Sequence, residues 1–167
     1  MFDFFKKISY IYSMSMYIDE NDLEKHIADN EIRCYIVAEK HGDGNLTMPM
    51  GRFKLDKNHM RRPLGDVELC DKFNRDANGE LVSEQKPAIH KGMFSYKNKE
   101  DAIKIYMCLK RQFQEMSKHD VDFFRLIECF IPEGASYYNG YLQFPKYASD
   151  ELIIGDYIFF NEKNYEQ

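Results

Sequence analysis

The strongest constraint on this chain is a helical repeat that begins near Lys99 and leads into a strand-like segment. Apolar residues recur along the repeat at helical spacing, and together they form one stripe that suits packing by a single face. These residues are Ala102, Tyr106, Leu109, Phe113 and Met116. Asn98 is a favourable N-cap, and the cations of Lys118 and His119 suit the carbonyl end of a helix. The pattern therefore predicts one long helix over about 99–118.

Strand patterns flank this helix on both sides. Residues 124–131 are rich in aromatic and β-branched side chains, and residues 31–40 alternate between two faces, so both segments are predicted strands. Asn139-Gly140 lies between pairs of large residues and predicts a tight hairpin turn. The last predicted strand covers residues 152–160 and contains a bulge at Gly155-Asp156.

A second, shorter helix is predicted over about 20–30, with Asp19 or Asn21 as its cap and Leu23 and Ile27 on its inner face. Strands, one long helix and further strands in this order are typical of an α+β fold with a mostly antiparallel sheet. No internal repeat, low-complexity segment or change of composition divides the sequence. Residues 1–167 are therefore expected to form a single domain.

Composition and charge limit the classes of function. Hydrophobic residues make up 44% of the chain and charged residues 31%, with a formal net charge of -5, so a globular protein without a duplex-binding basic surface is expected. No apolar run approaches the roughly 20 residues that span a bilayer. The order of charges at the start is not that of a signal peptide, since Lys6 and Lys7 follow the apolar residues. A cytoplasmic protein is expected.

Neither cysteines nor histidines form a ligand pattern. The cysteines Cys34, Cys70, Cys108 and Cys129 lack the spacing of a metal site or a disulfide framework, so free thiols are expected. The five histidines are scattered without a recurrent spacing, and no metal site is expected.

Cations concentrate in one loop of this acidic chain. The loop carries Lys57, His59, Arg61 and Arg62, and Arg52 precedes it. A solvated loop explains these residues, and the alternative is a phosphate clamp, because guanidinium groups bind anionic oxygens in pairs. Tyr137 and Tyr138 are most simply sheet-covering residues, and their alternative role is to stack on a nucleotide base.

Several motifs in the last 75 or so residues resemble a group of small uncharacterised proteins of bacteriophages and gut-type bacteria. The motifs are Gly92-Met-Phe-Ser-Tyr with a following Asp-Ala, Cys129-Phe-Ile-Pro-Glu-Gly with a later Tyr-Tyr, and Tyr147-Ala-Ser-Asp-Glu-Leu-Ile-Ile. Met93-Phe94-Ser95 replaces the Gly-Phe-His form of that group. The resemblance implies a phage or mobile-element origin and implies no biochemical activity.

The chain also resembles, more distantly, the ADP-ribosyltransferase fold. That fold carries an Arg or His on an early strand, a Ser-Thr-Ser strand and a Glu on a late strand, and Arg33, Ser95 and Glu151 stand at corresponding places. The resemblance implies that Arg33 holds a diphosphate, that Ser95 supports the sheet near nicotinamide, and that Glu151 binds a ribose hydroxyl. Phe94-Ser95-Tyr96 departs from Ser-Thr-Ser, and Ser149 replaces a second acidic or amide residue.

The expected function is that of a phage-type accessory protein that binds a host protein or a small nucleotide and modulates host defence or metabolism. One alternative is an ADP-ribosyltransferase-like enzyme that uses NAD, and another is a virion or assembly component. The sequence leaves open whether the protein is an enzyme and whether it forms a homo-oligomer. Duplex nucleic acid and membranes are not expected partners.

Overall fold

Aromatic and β-branched segments of the chain pair into a sheet that one amphipathic helix covers. The computed structural model describes residues 15–48, 54–70, 78–80, 85–117 and 123–165. The described residues contain twelve strands, one α-helix and one 3-10 turn. The strands are β1 (Met16–Ile18), β2 (His26–Ile27), β3 (Ile32–Lys40), β4 (Leu46–Thr47), β5 (Met60–Arg61), β6 (Glu68–Cys70), β7 (Lys86–Ile89), β8 (Met93–Tyr96), β9 (Phe124–Ile131), β10 (Ser136–Leu142), β11 (Phe144–Ser149) and β12 (Glu151–Tyr157). The helix α1 spans Lys99–Ser117, and the 3-10 turn spans Glu162–Tyr165.

The sheet is antiparallel at each strand pair that the described residues form. Its order is β5-β12-β9-β3-β8-β11-β10-β1-β7-β6, with β2 also on β10 and β4 also on β3. The register of β3 and β9 runs from Ile32 opposite Ile131 to Glu39 opposite Phe124. These pairings confirm the predicted α+β fold with a mostly antiparallel sheet.

The helix α1 confirms the prediction of one long helix. The amide of Ala102 donates to the carbonyl of Asn98, which closes the first turn. Ala102 and Leu109 are fully buried, and Ile103 and Tyr106 lie with them against Leu126 and its neighbours on β9. The side chain of Met116 and residues Lys118 and His119 lie outside the described residues. No helix in the described part of the chain is both long enough and apolar enough to cross a membrane.

The strand residues that point to the other face of the sheet, away from α1, form a second core. Cys34 and Ile36 on β3 lie opposite Cys129 and Ile127 on β9, and all four are buried. The four cysteines of the chain are free thiols in this structure, as the spacing predicts. The predicted bulge in β12 is also present, since its register with β9 shifts between Ile154 and Tyr157.

A third core lies under β1, β7, β10 and β11, and a lysine lies at its boundary. Phe94 belongs to this third core, and Tyr96 belongs to the core under α1. Lys146 is opposite Tyr96 on the neighbouring strand and is only 4% exposed. Its ammonium lies 5.4 Å from the Phe94 ring centre and 5.2 Å from that of Tyr96. A buried cation therefore lies at the boundary between two cores.

The predicted short helix over about 20–30 is wrong, because this segment pairs with β10. Ile18 lies opposite Gly140 and His26 lies opposite Tyr137. Seven residues therefore connect Ile18 to His26, whereas only two residues separate their partners on β10. We call residues 19–25 the excursion. Asp19 starts it, since its carboxylate accepts from the amide of Asn21 at 2.9 Å. A helix of about 11 residues is marginal on its own, whereas a sheet edge satisfies backbone groups at once.

The apolar inner face predicted for that helix is also absent. Leu23 is 52% exposed and Ile27 is 65% exposed, so neither apolar side chain packs into a core. Their spacing of four residues fits a helix, but two apolar residues are too few to offset tertiary pairing.

The predicted turn at Asn139-Gly140 is also wrong, because both residues lie within β10. The chain reverses at Gln143, which has a φ of 66°, and Leu142 and Phe144 flank the turn as a pair. Gly140 serves packing instead: a Cβ at this position would lie 2.2 Å from the carbonyl oxygen of Tyr17. The glycine allows β1 to approach β10 closely.

Candidate functional site

The excursion places polar side chains over an aromatic part of the sheet, on the face opposite α1. Asn139 and Tyr147 are direct partners across β10 and β11, and Tyr137 lies two residues from Asn139 on the same face. His26 is the partner of Tyr137 across β2 and β10. We define the excursion site by the residues Asp22, His26, Lys97, Tyr137, Asn139 and Tyr147.

Hydrogen bonds join four of these side chains into one chain. Both carboxylate oxygens of Asp22 lie 2.8 Å from Nε2 of His26. The amide nitrogen of Asn139 donates to Oδ2 of Asp22 at 3.1 Å. The ammonium of Lys97 donates to Oδ1 of Asn139 at 2.7 Å. Asn139 therefore connects an anion from the excursion with a cation that follows β8.

Aromatic rings form the floor beside this polar chain. The rings of His26 and Tyr137 stack with centres 5.4 Å apart and planes inclined at 29°. Tyr147 meets Tyr137 edge-on, with ring centres 5.7 Å apart. The ammonium of Lys97 lies 4.8 Å from the ring centre of Tyr147, which is a cation–π distance. Tyr141 continues the aromatic surface along β10 and is 37% exposed.

The charge states follow from these contacts. The hydrogen bond from Asn139 and the contacts with His26 lower the pKa of Asp22, so its carboxylate is ionised at neutral pH. Partial burial lowers the pKa of Lys97, although the nearby Asp22 and Asp19 oppose this effect. Burial raises the pKa of Tyr147, which therefore keeps its proton. The site presents a fixed anion, an amine and a neutral phenol within one cluster.

The three residues suggested by the ADP-ribosyltransferase resemblance divide between the two faces. Arg33 lies opposite Phe130, which lies opposite Ile153, so Arg33 and Glu151 share the helix side of the sheet. Ser95 is the neighbour of Tyr96 on β8 and points to the other face, where it is 1% exposed. The structure therefore brings Arg33 and Glu151 onto one face and separates Ser95 from them.

Two of these residues, Arg33 and Glu151, have charged partners of their own, whereas the buried Ser95 hydroxyl has no hydrogen-bond partner among the described residues. The guanidinium of Arg33 lies 3.6 Å from Glu128 and the carboxylate of Glu151 lies 3.5 Å from His59. The Ser95 hydroxyl faces the thiol of Cys34, whose pKa is raised to about 12 by burial.

The cationic loop and the tyrosines are far apart in the order of strands. Arg61 on β5 lies 3.9 Å from Glu151, and five strands separate β5 from β10. Lys57 is exposed, and the amide of Arg62 donates to the carbonyl of Asp150. Arg52 lies outside the described residues. Of the two predicted stacking residues, Tyr137 lies in the excursion site.

Tyr138, the other predicted stacking residue, faces the opposite side of the sheet. It is 6% exposed and packs in the third core. The alternation of side chains along a strand explains this split, because adjacent residues point to opposite faces.

Sequence reasoning missed the other members of the excursion site. The sequence pattern predicts a helix at Asp22 and His26 and a turn at Asn139, and it gives no role to Lys97. These residues converge through strand pairing, which spacing along the chain does not reveal. The concentration of tyrosines around β10 and β11, which includes Tyr147, was the one signal of an aromatic surface.

Within the described ranges, no cluster of three or more His, Cys, Asp or Glu side chains is arranged to hold a metal ion. Comparisons with protein-family models, curated proteins and solved structures found no match to this chain.

Proposed function

We propose that this protein binds a small nucleotide at the excursion site. The observation that supports the proposal is that the partly exposed Tyr137 ring meets Tyr147, whose ring carries the ammonium of Lys97, in one cluster with the polar groups of Asn139 and Asp22. Aromatic rings bind nucleotide bases by stacking, and cations bind phosphates. A nucleotide combines both features, whereas a purely apolar ligand would make no contact with the ammonium of Lys97 or the carboxylate of Asp22.

Lys97 is the proposed phosphate contact. An ammonium has three hydrogen-bond donors, and Asn139 takes one of them at 2.7 Å. The aromatic ring of Tyr147 holds the lysine stem over the sheet, at 4.8 Å from the ammonium. Lys97 therefore presents its charge at the edge of the rings, where the phosphate of a stacked nucleotide would lie.

The proposed biological role is that of a phage-type accessory protein in the host cytoplasm. Sequestration of a small nucleotide would modulate host defence or metabolism, since the free concentration of the nucleotide would fall. The resemblance of the motifs after Gly92 to small proteins of phages and gut-type bacteria supports this role.

Calorimetric titration with NAD, ADP-ribose and cyclic oligonucleotides tests the proposal. Tyr137→Ala is expected to cost about 1–3 kcal/mol of binding free energy, the usual value of stacking one base on an aromatic ring. Tyr165→Ala is the control, because Tyr165 lies in the 3-10 turn and donates to Glu100. Lys97→Met is compared with Lys104→Met in the same way, since Lys104 lies 6.0 Å from the Phe144 ring.

Three results would redirect the proposal. Binding that survives Tyr137→Ala but is lost in an Arg61→Ala, Arg62→Ala double variant would move the site to the cationic loop. Failure of these nucleotides to bind, with a host protein co-purifying, would favour a protein partner. Equal losses in the Tyr137 and Tyr165 variants would indicate a general effect on folding.

An ADP-ribosyltransferase-like enzyme is the second candidate, and one observation favours it. Arg33 and Glu151 share a face of the sheet, with Arg61 3.9 Å from Glu151. A guanidinium group near a carboxylate, with a second guanidinium group on the same face, suits a ribose and a diphosphate. Release of nicotinamide from NAD that Glu151→Gln abolishes would support this enzyme, and stable NAD in the presence of the protein would exclude it.

A further inference from the structure

The polar groups of the excursion site retain unused hydrogen-bond capacity. A carboxylate accepts at about four positions, and Asp22 accepts from His26, Asn139 and the backbone amide of Glu24, which leaves about one position. The Asn139 amide has two N–H donors and uses one on Asp22, and Lys97 uses one of its three. An acceptor and several donors therefore remain beside the Tyr137 ring.

This arrangement of donors and acceptors matches one functional group. Each hydroxyl of a vicinal diol both donates and accepts, so two adjacent hydroxyls need an acceptor and a donor within a few ångströms. Asp22 and Asn139 are linked at 3.1 Å and supply this pair. We propose that the excursion site recognises a cis-vicinal diol. One hydroxyl of the diol donates a hydrogen bond to Asp22, and the other accepts one from Asn139 or Lys97.

Asp22 suits this role because it is fixed and accessible. Its side chain is 29% exposed, and His26 holds both carboxylate oxygens at 2.8 Å. The aromatic surface lies next to the carboxylate, since His26 itself stacks on Tyr137. A sugar ring or a ribose with its base would place its flat side on Tyr137 and its hydroxyls at Asp22.

The diol has two sources, the ribose of a nucleotide and a free saccharide. The nucleotide source rests on the proposed function, and the saccharide source does not. The shared chemistry is a pair of adjacent hydroxyls on one side of a five- or six-membered ring.

The experiment compares AMP with 2′-deoxy-AMP and 3′-deoxy-AMP by calorimetry, and adds methyl α-mannoside and D-ribose as saccharide probes. AMP is expected to bind roughly ten- to a hundredfold more tightly than either deoxy analogue, the usual effect of one hydrogen bond to a charged group. Asp22→Asn is expected to remove this preference. Asp156→Asn, an exposed aspartate on β12, is the matched control and is expected to retain it.

The outcomes separate the diol from the nucleotide. Equal affinities for AMP and both deoxy analogues would overturn the diol and leave nucleotide binding intact. Saccharide binding that Asp22→Asn abolishes, without AMP binding, would support the diol and overturn the nucleotide proposal. Lack of binding by every probe would overturn both the diol and the nucleotide proposals. The comparison of AMP with its deoxy analogues uses the wild-type protein, so it does not depend on the folding of a variant.

Discussion

Lys146 lies at the boundary between two cores, and its buried charge should make the protein less stable at neutral pH than a variant with an uncharged side chain there. The side chain is 4% exposed, and no carboxylate pairs with it among the residues that the structure describes. Burial lowers its pKa from 10.5 to about 8, although the rings of Phe94 and Tyr96 favour the cation. At pH 7 both the folded and the unfolded chain carry the proton, so the folded protein bears the full cost of the buried charge.

The magnitude follows from the difference between the two pKa values. One pKa unit corresponds to about 1.4 kcal/mol, so the shift from 10.5 to about 8 corresponds to a cost on the order of 3 kcal/mol. Between these pH values the unfolded chain binds a proton that the folded chain does not, so the cost falls as pH rises. Above about pH 10.5 the cost is absent.

The assay is urea denaturation of the wild type and Lys146→Met at several pH values from 7 to 10. The variant is expected to be more stable by on the order of 3 kcal/mol at pH 7, and the difference should shrink toward pH 10. Burial of Cys34 raises its pKa to about 12 and destabilises both proteins above pH 9, so this effect cancels in the difference. Lys104→Met, on exposed α1 surface, is the control and should change stability by less than about 0.5 kcal/mol.

Two results would refute this reasoning. A Lys146→Met protein that is less stable than the wild type at pH 7 would show that the ammonium is well satisfied where it lies. A difference between the two proteins that is constant from pH 7 to 10 would show that Lys146 does not lose its proton in this range.

Three further predictions concern the cores. Leu109→Ala should lower the free energy of unfolding by about 2–5 kcal/mol, and a loss below about 0.5 kcal/mol would show that the helix stripe is not core. Cys34 and Cys129 should react with a thiol reagent only in denaturant, because burial raises both pKa values; a native mass two daltons below the fully reduced value would contradict free thiols. Gly140→Ala should destabilise the fold by at least about 2 kcal/mol, since its Cβ would lie 2.2 Å from the Tyr17 carbonyl oxygen; an unchanged melting curve would contradict this close approach.

The parts of the fold that could be predicted are those with long local signals. The helix α1 has a cap at Asn98, which directly precedes it, and a repeated apolar stripe within it that includes Leu109. The strand Phe124–Ile131 was predicted with its bounds because aromatic and β-branched residues fill it and Pro132 follows. Such signals need no knowledge of distant residues.

The errors arose where a distant strand decided the local structure. Asn-Gly is a strong turn signal, but Gly140 is needed where β1 crosses close to β10. Leu23 and Ile27 have helical spacing, but the edge of β10 pairs with His26 and Ile27 instead. The sequence does not record which strand will lie beside a short segment.

The same limit applies to the excursion site. Tyr137 could be selected because tyrosines concentrate near it, and its role as a ligand residue stays a prediction. Asp22 and Asn139 are 117 positions apart along the chain, and only the sheet order brings them together. No spacing rule connects residues at that separation.

The excursion also separates the sheet scaffold of this protein from the polar groups that we propose bind a ligand. Residues 19–25 leave the edge of β10 after Ile18 and return to the same edge at His26, so their number does not set the register of either strand. Doubling the length of such a loop costs only about 0.6 kcal/mol. Insertions, deletions or grafted segments at this point would therefore alter the chemistry above Asn139 while the sheet below kept its pairing. Chains with the same sheet could therefore differ in the proposed ligand-binding chemistry through changes in this one segment.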